Sequence, residues 1–132
     1  MYRIATQIAE YNRCKIIVNG ESIGQVASQT LTSMSVINAV TDIPVIRPVA
    51  CFDKLEIIDI ANKINTFETS ILPYEDCCTI FVPKHPVINP ELSKCISYEE
   101  LIPYKDLIND AVKNHEIINI TPGSNQEFKE LL

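Results

Sequence analysis

The chain has 132 residues, is 46% hydrophobic and 21% charged, and carries a formal net charge of −6 with a sequence pI near 4.8. That suits one globular domain with a core, and the acidic balance argues against a nucleic-acid grip built by this chain alone, because such grips draw on lysine and arginine. No apolar run approaches the ~20 residues of a membrane helix, and five cysteines without secretory leader or scaffold spacing point to a reducing, cytoplasmic setting.

In chain order, Ile4, Ala5, Ile8 and Ala9 have helical spacing over residues 1–12, entered straight from Met1 without a capping residue. Cys14 to Asn19 is a short β-branched run and reads as a buried strand. It ends in Gly20-Glu21-Ser22-Ile23-Gly24, after which a helix is expected from about Gln25 to Val40, with Val26, Leu31, Met34 and Ile37 on one side. Val45-Ile46-Arg47, closed by Pro48, reads as a second strand. Asp53-Lys54-Leu55-Glu56 has the pattern of a capping box, opening a helix that carries Leu55, Ile57, Ile58, Ala61 and Ile64. Pro73, Pro83, Pro86 and Pro90 make residues 73–90 a loop. Ser97 opens a last helix, with a kink expected at Pro103, Glu116 to Ile120 is a further candidate strand, and the tail is polar.

Short apolar strands alternating with helices imply an α/β fold with a parallel sheet. Two or three strands are few for a free-standing sheet, so the chain is expected to supply part of a larger one. An uncovered sheet edge favours association, and a homodimer is expected.

Two places carry candidate chemistry. The first is the turn from Gly20 to Gln25, where a doubly wound sheet binds ligands at the carboxyl ends of its strands. A helix beginning there would offer free N–H groups to an anion, and Gly20 and Gly24 would let backbone approach a ligand. Gln25 and Gln29, four apart, would share a helix face and present amides that both donate and accept. The alternative is a plain strand-to-helix turn with an exposed glutamine face. Arg47, at a strand end, suits either a phosphate or a carboxylate.

The second place is Cys77-Cys78, preceded by Glu75 and Asp76 and followed by Lys84 and His85. Adjacent cysteines close only a strained disulfide ring, so a nucleophile, a redox centre or a metal ligand is indicated. The two acids raise a thiol pKa unless Lys84, His85 or a helix end offsets them. Zinc held by Cys77, Cys78, His85 and Cys95 is a rival, weakened because structural zinc sites space paired cysteines by two to four residues. An inert buried pair is the third reading. Cys14, Cys51 and Cys95 read as structural, and His115 as a helix-end stabiliser.

Four segments together resemble one family: Gly20-Glu-Ser-Ile-Gly-Gln-Val-Ala-Ser-Gln-Thr30, Pro44-Val-Ile-Arg-Pro48, Asp53-Lys-Leu-Glu-Ile-Ile-Asp-Ile-Ala61, and Ile71-Leu-Pro-Tyr-Glu-Asp-Cys-Cys-Thr-Ile-Phe81 with Pro83-Lys-His-Pro86. They resemble the tRNA 4-thiouridine sulfurtransferase family, ThiI, in order and spacing over roughly residues 1–120. The resemblance implies the PP-loop, adenine nucleotide alpha hydrolase-like fold, as a partial doubly wound parallel sheet. Residues 1–122 would form the C-terminal half of the PP-loop domain and 123–132 a polar tail.

It also implies the chemistry. Family members adenylate O4 of a tRNA uridine with ATP and Mg²⁺, and sulfur from a persulfide then displaces AMP; they are also linked to thiamine thiazole synthesis. Gly20 and Gln29 fall at ATP-contacting positions. Cys77 falls at the cysteine associated with sulfur transfer, and Cys78 ranks second because one branch of the family has glycine there. The family's Ser-Gly-Gly-x-Asp-Ser phosphate signature, an ATP-contacting arginine before the first helix, and the ferredoxin-like and THUMP regions that hold tRNA do not occur in this sequence. The chain is therefore expected to be inactive alone, to meet tRNA only through other domains, and to belong to a branch that takes sulfur directly from a cysteine desulfurase. The alternatives are a non-catalytic sulfur-carrier or metal-binding module, or a degenerate remnant.

Overall fold

The computed structural model describes residues 1–25, 29–73 and 87–121. Helix α1 spans Tyr2–Tyr11 and buries Ala9. It ends because Arg13 takes the left-handed conformation (φ 57°), so that the Arg13 N–H reaches the Glu10 carbonyl (3.0 Å) and the Cys14 N–H the Ala9 carbonyl (2.8 Å).

Strand β1 is Ile17–Val18 and pairs in parallel with β2, Val45–Ile46, in the register Ile17 to Val45 and Val18 to Ile46. Between them lies α2, Leu31–Asn38, capped by Thr30, whose hydroxyl accepts from the Ser33 N–H at 3.1 Å. The order strand, helix, parallel strand is the unit expected from the sequence. The strands, however, are shorter than the apolar runs and are not covered on both faces: Val18 is 57% exposed and Ile46 46% exposed.

Helix α3, Lys54–Lys63, begins at the capping box read from the sequence. Asp53 Oδ1 accepts from the N–H groups of Leu55 (2.8 Å) and Glu56 (2.9 Å), while the Asp53 N–H donates to Glu56 Oε2 (2.8 Å). It stops like α1: Asn65 is left-handed at φ 58°, and the Thr66 N–H reaches the Ala61 carbonyl at 2.9 Å. A short helix α4, Phe67–Ser70, follows and packs on α3.

Helices α5, Leu92–Glu99, and α6, Tyr104–Lys113, complete the described chain. Helix α1 packs against α6 and β1. A two-point ion pair ties α1 to α5: Arg3 Nη2 lies 2.7 Å from Glu99 Oε2 and Arg3 Nε 3.2 Å from Glu99 Oε1, with the guanidinium 5.2 Å from the Tyr104 ring.

Four expectations need correction. The second helix starts at Leu31, not Gln25, because Thr30 caps it there; Met34 is buried as expected, but Leu31 is exposed and Ser33 is buried. Val26 lies outside the described residues. The helix placed at Ser97 has already run from Leu92, and Pro103 is a boundary preceding α6 and not a kink, since proline lacks the N–H a continuing helix needs. Residues 116–120 form no strand in the described structure, and Ile117 and Ile120 stand exposed. Cys14 and Cys51 are exposed, not packed.

Among the described residues the buried apolar side chains are Ala9 and Met34, beside the buried hydroxyls of Ser22 and Ser33. Among those residues no helix is long and apolar enough to cross a membrane.

Candidate functional site

The two parallel strands end side by side, and Asn19 and Arg47 follow them directly. The Asn19 N–H continues the ladder to the Ile46 carbonyl at 3.1 Å. Its Oδ1 then accepts from the Glu21 N–H at 3.1 Å, closing a tight turn around Gly20. From there the loop is pinned to the chain beyond β2: Ser22 Oγ donates to the Phe52 carbonyl (2.7 Å) and the Ile23 N–H to that of Ala50 (2.9 Å).

These contacts hold one wall of a cleft of about 620 Å³ at the carboxyl end of the sheet. Gly20, Ser22, Gln25 and Gln29 line it on the loop side, facing Lys54, Ile57, Ile58 and Ala61 of α3. Gln25 and Gln29 do meet in one place, though not for the helical reason expected: the Gly24 N–H donates to the Gln29 carbonyl at 2.9 Å and folds the loop back on itself. Gly24 needs its freedom for this, at φ +78°. Among the described residues no helix starts at Gly24 to form the anion site expected there; α2 begins at Leu31, capped by Thr30.

Gly20 differs from Gly24. Its φ is not left-handed, and a Cβ placed on it would meet no atom within 4 Å. Neither backbone conformation nor crowding within the described chain requires glycine there. What a bare backbone does offer at Gly20 is close approach from the cleft side. Lys54, read in the sequence only as part of the capping box, is a cation on the lining of this cleft, placed there by the start of α3.

On the other side of the turn, Glu21 is gathered into a partly buried polar cluster. Its Oε2 accepts from Tyr2 Oη (2.8 Å), Asn19 Nδ2 (2.8 Å) and Arg47 Nε (2.8 Å). Arg47 Nη2 donates to Tyr2 Oη (3.1 Å), and Asn19 Nδ2 also donates to Tyr2 Oη. Arg47 therefore meets a carboxylate, one of its two sequence readings. Burial alone would push the Glu21 carboxyl up, but hydrogen bonds from Arg47, Tyr2 and Asn19 outweigh it and hold the carboxyl below its ordinary value. Burial and the bond to Glu21 raise the Tyr2 phenol. For Arg47, burial opposes its charge but the Glu21 carboxylate prevails and raises its pKa.

Cys77, Cys78, Lys84 and His85 lie outside the described residues. The chain on either side of that segment does meet the cleft region: Ser70 and Ile71 line the cleft, and Thr30, next to Gln29, donates to the Ile88 carbonyl at 2.7 Å. Among the described residues no three His, Cys, Asp or Glu side chains converge on a metal position.

Residues 1–103 match the family model described as "Thiamine biosynthesis protein (ThiI)". The chain is 52% identical over 133 residues to the "Probable tRNA sulfurtransferase" of Streptococcus sanguinis (strain SK36), an alignment covering 100% of this chain and 33% of that protein. It is 54% identical over 121 residues to the "Probable tRNA sulfurtransferase" of Acetivibrio thermocellus, covering 92% of this chain and 31% of that one. Among solved structures it resembles a 4-thiouridine synthetase in an RNA complex with bound ATP, with a TM-score of 0.79 and 43% identity over 86% of this chain and 30% of that chain. The chain thus spans about a third of the length of the curated relatives it matches.

Proposed function

This chain belongs to the ThiI family, and from that premise we propose that it carries the nucleotide-facing and sulfur-handling part of a tRNA uridine 4-thiolation enzyme. The observation that carries the reading is Gly20: a glycine explained neither by its conformation nor by its neighbours in the described chain, at the mouth of a cleft at the carboxyl end of a parallel sheet. The cleft suits an adenine nucleotide. Ile57, Ile58 and Ala61 offer apolar surface for a base, Gln25 and Gln29 offer amides for its polar edge or the ribose, and Lys54 offers a cation toward phosphate. Mg²⁺, which the family resemblance implies, would arrive on the nucleotide's phosphates, as this ion ordinarily does.

On this reading the fold is the PP-loop type, with residues 1–122 as the C-terminal half of that domain and 123–132 as a tail. ATP supplies the adenylyl group that turns uridine O4 into a leaving group. Gly20, Gln25 and Gln29 hold the nucleotide, and Cys77, seconded by Cys78, handles the sulfur that a cysteine desulfurase delivers. The return of the chain at Thr30 and Ile88 beside the cleft supports placing the two functions together. tRNA is gripped elsewhere, in keeping with the net charge of −6. The setting is cytoplasmic, with a link to thiamine thiazole synthesis through the same sulfur. By itself the 132-residue chain binds ATP without turnover, because this sequence lacks the Ser-Gly-Gly-x-Asp-Ser signature.

The test is to titrate the chain with ATP, then add Mg²⁺, a persulfide donor and tRNA and assay 4-thiouridine. Binding without product is expected. Robust turnover would sink the claim of inactivity. Persulfide loading or stoichiometric zinc without any nucleotide binding would replace the reading with that of a sulfur-carrier or metal-binding module.

A further inference from the structure

We infer that Glu21 is a positioning residue for the cleft, and that Tyr2, Asn19 and Arg47 act through it to hold the Gly20 backbone where a nucleotide meets it. The inference rests on the nucleotide reading of the cleft.

The geometry is specific. Glu21 is the next residue after Gly20, and its side chain turns away from the cleft to the cluster behind. Three elements converge on the single oxygen Oε2: Tyr2 from α1, Asn19 from the end of β1 and Arg47 from the end of β2. Asn19 acts twice, since its Oδ1 also accepts from the Glu21 backbone N–H at 3.1 Å. The turn at Gly20 is therefore held at both the backbone and the side chain of its following residue. With Glu21 and Arg47 side chains only 22% and 16% exposed, the pair is screened less than a surface ion pair. An open glycine has no side chain of its own to fix it, and an unheld turn would lose conformational freedom on every binding event. The cluster removes that freedom in advance.

The experiment measures ATP affinity, unfolding midpoint and amide hydrogen exchange at Gly20 and Glu21 in the 132-residue chain and in Glu21→Gln, Tyr2→Phe and Arg3→Met. Tyr2→Phe removes one hydroxyl and guards against a variant that fails to fold. Arg3→Met breaks the separate Arg3–Glu99 pair, which shares no hydrogen bond with the cluster, and controls for stability alone. The expected result is an ATP affinity weaker by on the order of tenfold in Glu21→Gln and several-fold in Tyr2→Phe, with faster exchange at positions 20 and 21, while Arg3→Met lowers the midpoint and leaves affinity and exchange unchanged. If ATP binds and all three variants bind it as the parent does, the positioning role is wrong and the nucleotide reading stands. If affinity simply follows the midpoint across all variants, Arg3→Met included, the cluster is structural only. If the parent chain binds no ATP, the nucleotide reading fails and this inference falls with it.

Discussion

Thr30 Oγ1 lies 2.7 Å from the carbonyl oxygen of Ile88, a residue 58 positions further along the chain. The same hydroxyl accepts from the Ser33 N–H and so caps α2. One side chain thus starts a helix and holds the chain where it returns beside the cleft. Thr30→Val keeps the shape and loses these bonds, together with the contact to Ser33 Oγ at 2.9 Å. It is expected to cost about 1–2 kcal/mol, read as a lower denaturation midpoint at unchanged slope, whereas Thr30→Ser retains most of the stability.

The two described glycines are expected to respond oppositely to alanine. Gly24→Ala forces a Cβ onto a backbone at φ +78° and should lose about 1 kcal/mol of stability. Gly20→Ala meets no atom of the described residues within 4 Å and no left-handed strain, so its stability should equal or slightly exceed the parent's. On the proposed function ATP affinity should nevertheless fall in Gly20→Ala, because the added methyl would stand on the lining of the proposed nucleotide cleft. Denaturation curves and ATP titrations on the same samples separate the two effects; unchanged affinity would count against the cleft.

The capping box at Asp53 and Glu56 is a local device with a local effect. Asp53→Ala frees the N–H groups of Leu55 and Glu56 and should cost about 1 kcal/mol. Glu56→Ala, which leaves the Asp53 side-chain bonds in place, should cost less. Circular dichroism during denaturation checks the order.

Acid should loosen the fold through two carboxylates. Hydrogen bonding from Arg3 holds Glu99 below its ordinary value of 4.5. Burial opposes but hydrogen bonds from Arg47, Tyr2 and Asn19 prevail for Glu21, which is also held below 4.5. A carboxylate depressed in the folded state stabilises fully above its unfolded value and loses that contribution as pH falls through its folded value. Stability should therefore decline on acidification below the ordinary carboxylate range. The decline should be shallower in Glu21→Gln, and also in Glu99→Gln, where a pair with side chains 28% and 38% exposed contributes only about 0.5 kcal/mol. Urea midpoints at about pH 7 and about pH 3 measure it; an unchanged pH slope in both variants would contradict the assignment.

Much of this was legible in the residues. Asp53 three before Glu56 announced a helix start because a capping box satisfies its N–H groups within four residues of chain. Ile4, Ala5, Ile8 and Ala9 announced α1, and the β-branched runs announced β1 and β2, because periodicity is a local property. The four motifs carried the family, which the comparisons then bore out. The start of α2 is not legible in the residues, since a threonine cap competes on equal terms with the earlier loop residues, and the start of α5 is obscured because Ser97 looks like a cap while sitting inside a helix.

Sequence alone thus determined α1, the two paired strands, the start of α3, the parallel α/β class and the family, all of which depend on residues near one another in the chain. Only the tertiary structure decided that Glu21 meets Tyr2, Asn19 and Arg47 on one oxygen atom, that Lys54 faces Gln25 and Gln29 across a cleft, and that Gly20 lines that cleft with no described atom crowding it. The reason is that the parallel pairing of β1 with β2 sets Asn19 beside Arg47, 28 positions apart by their numbers (47 − 19), and that α1 packs back on β1 to bring Tyr2 to the same point. No pattern within a short window encodes such a meeting.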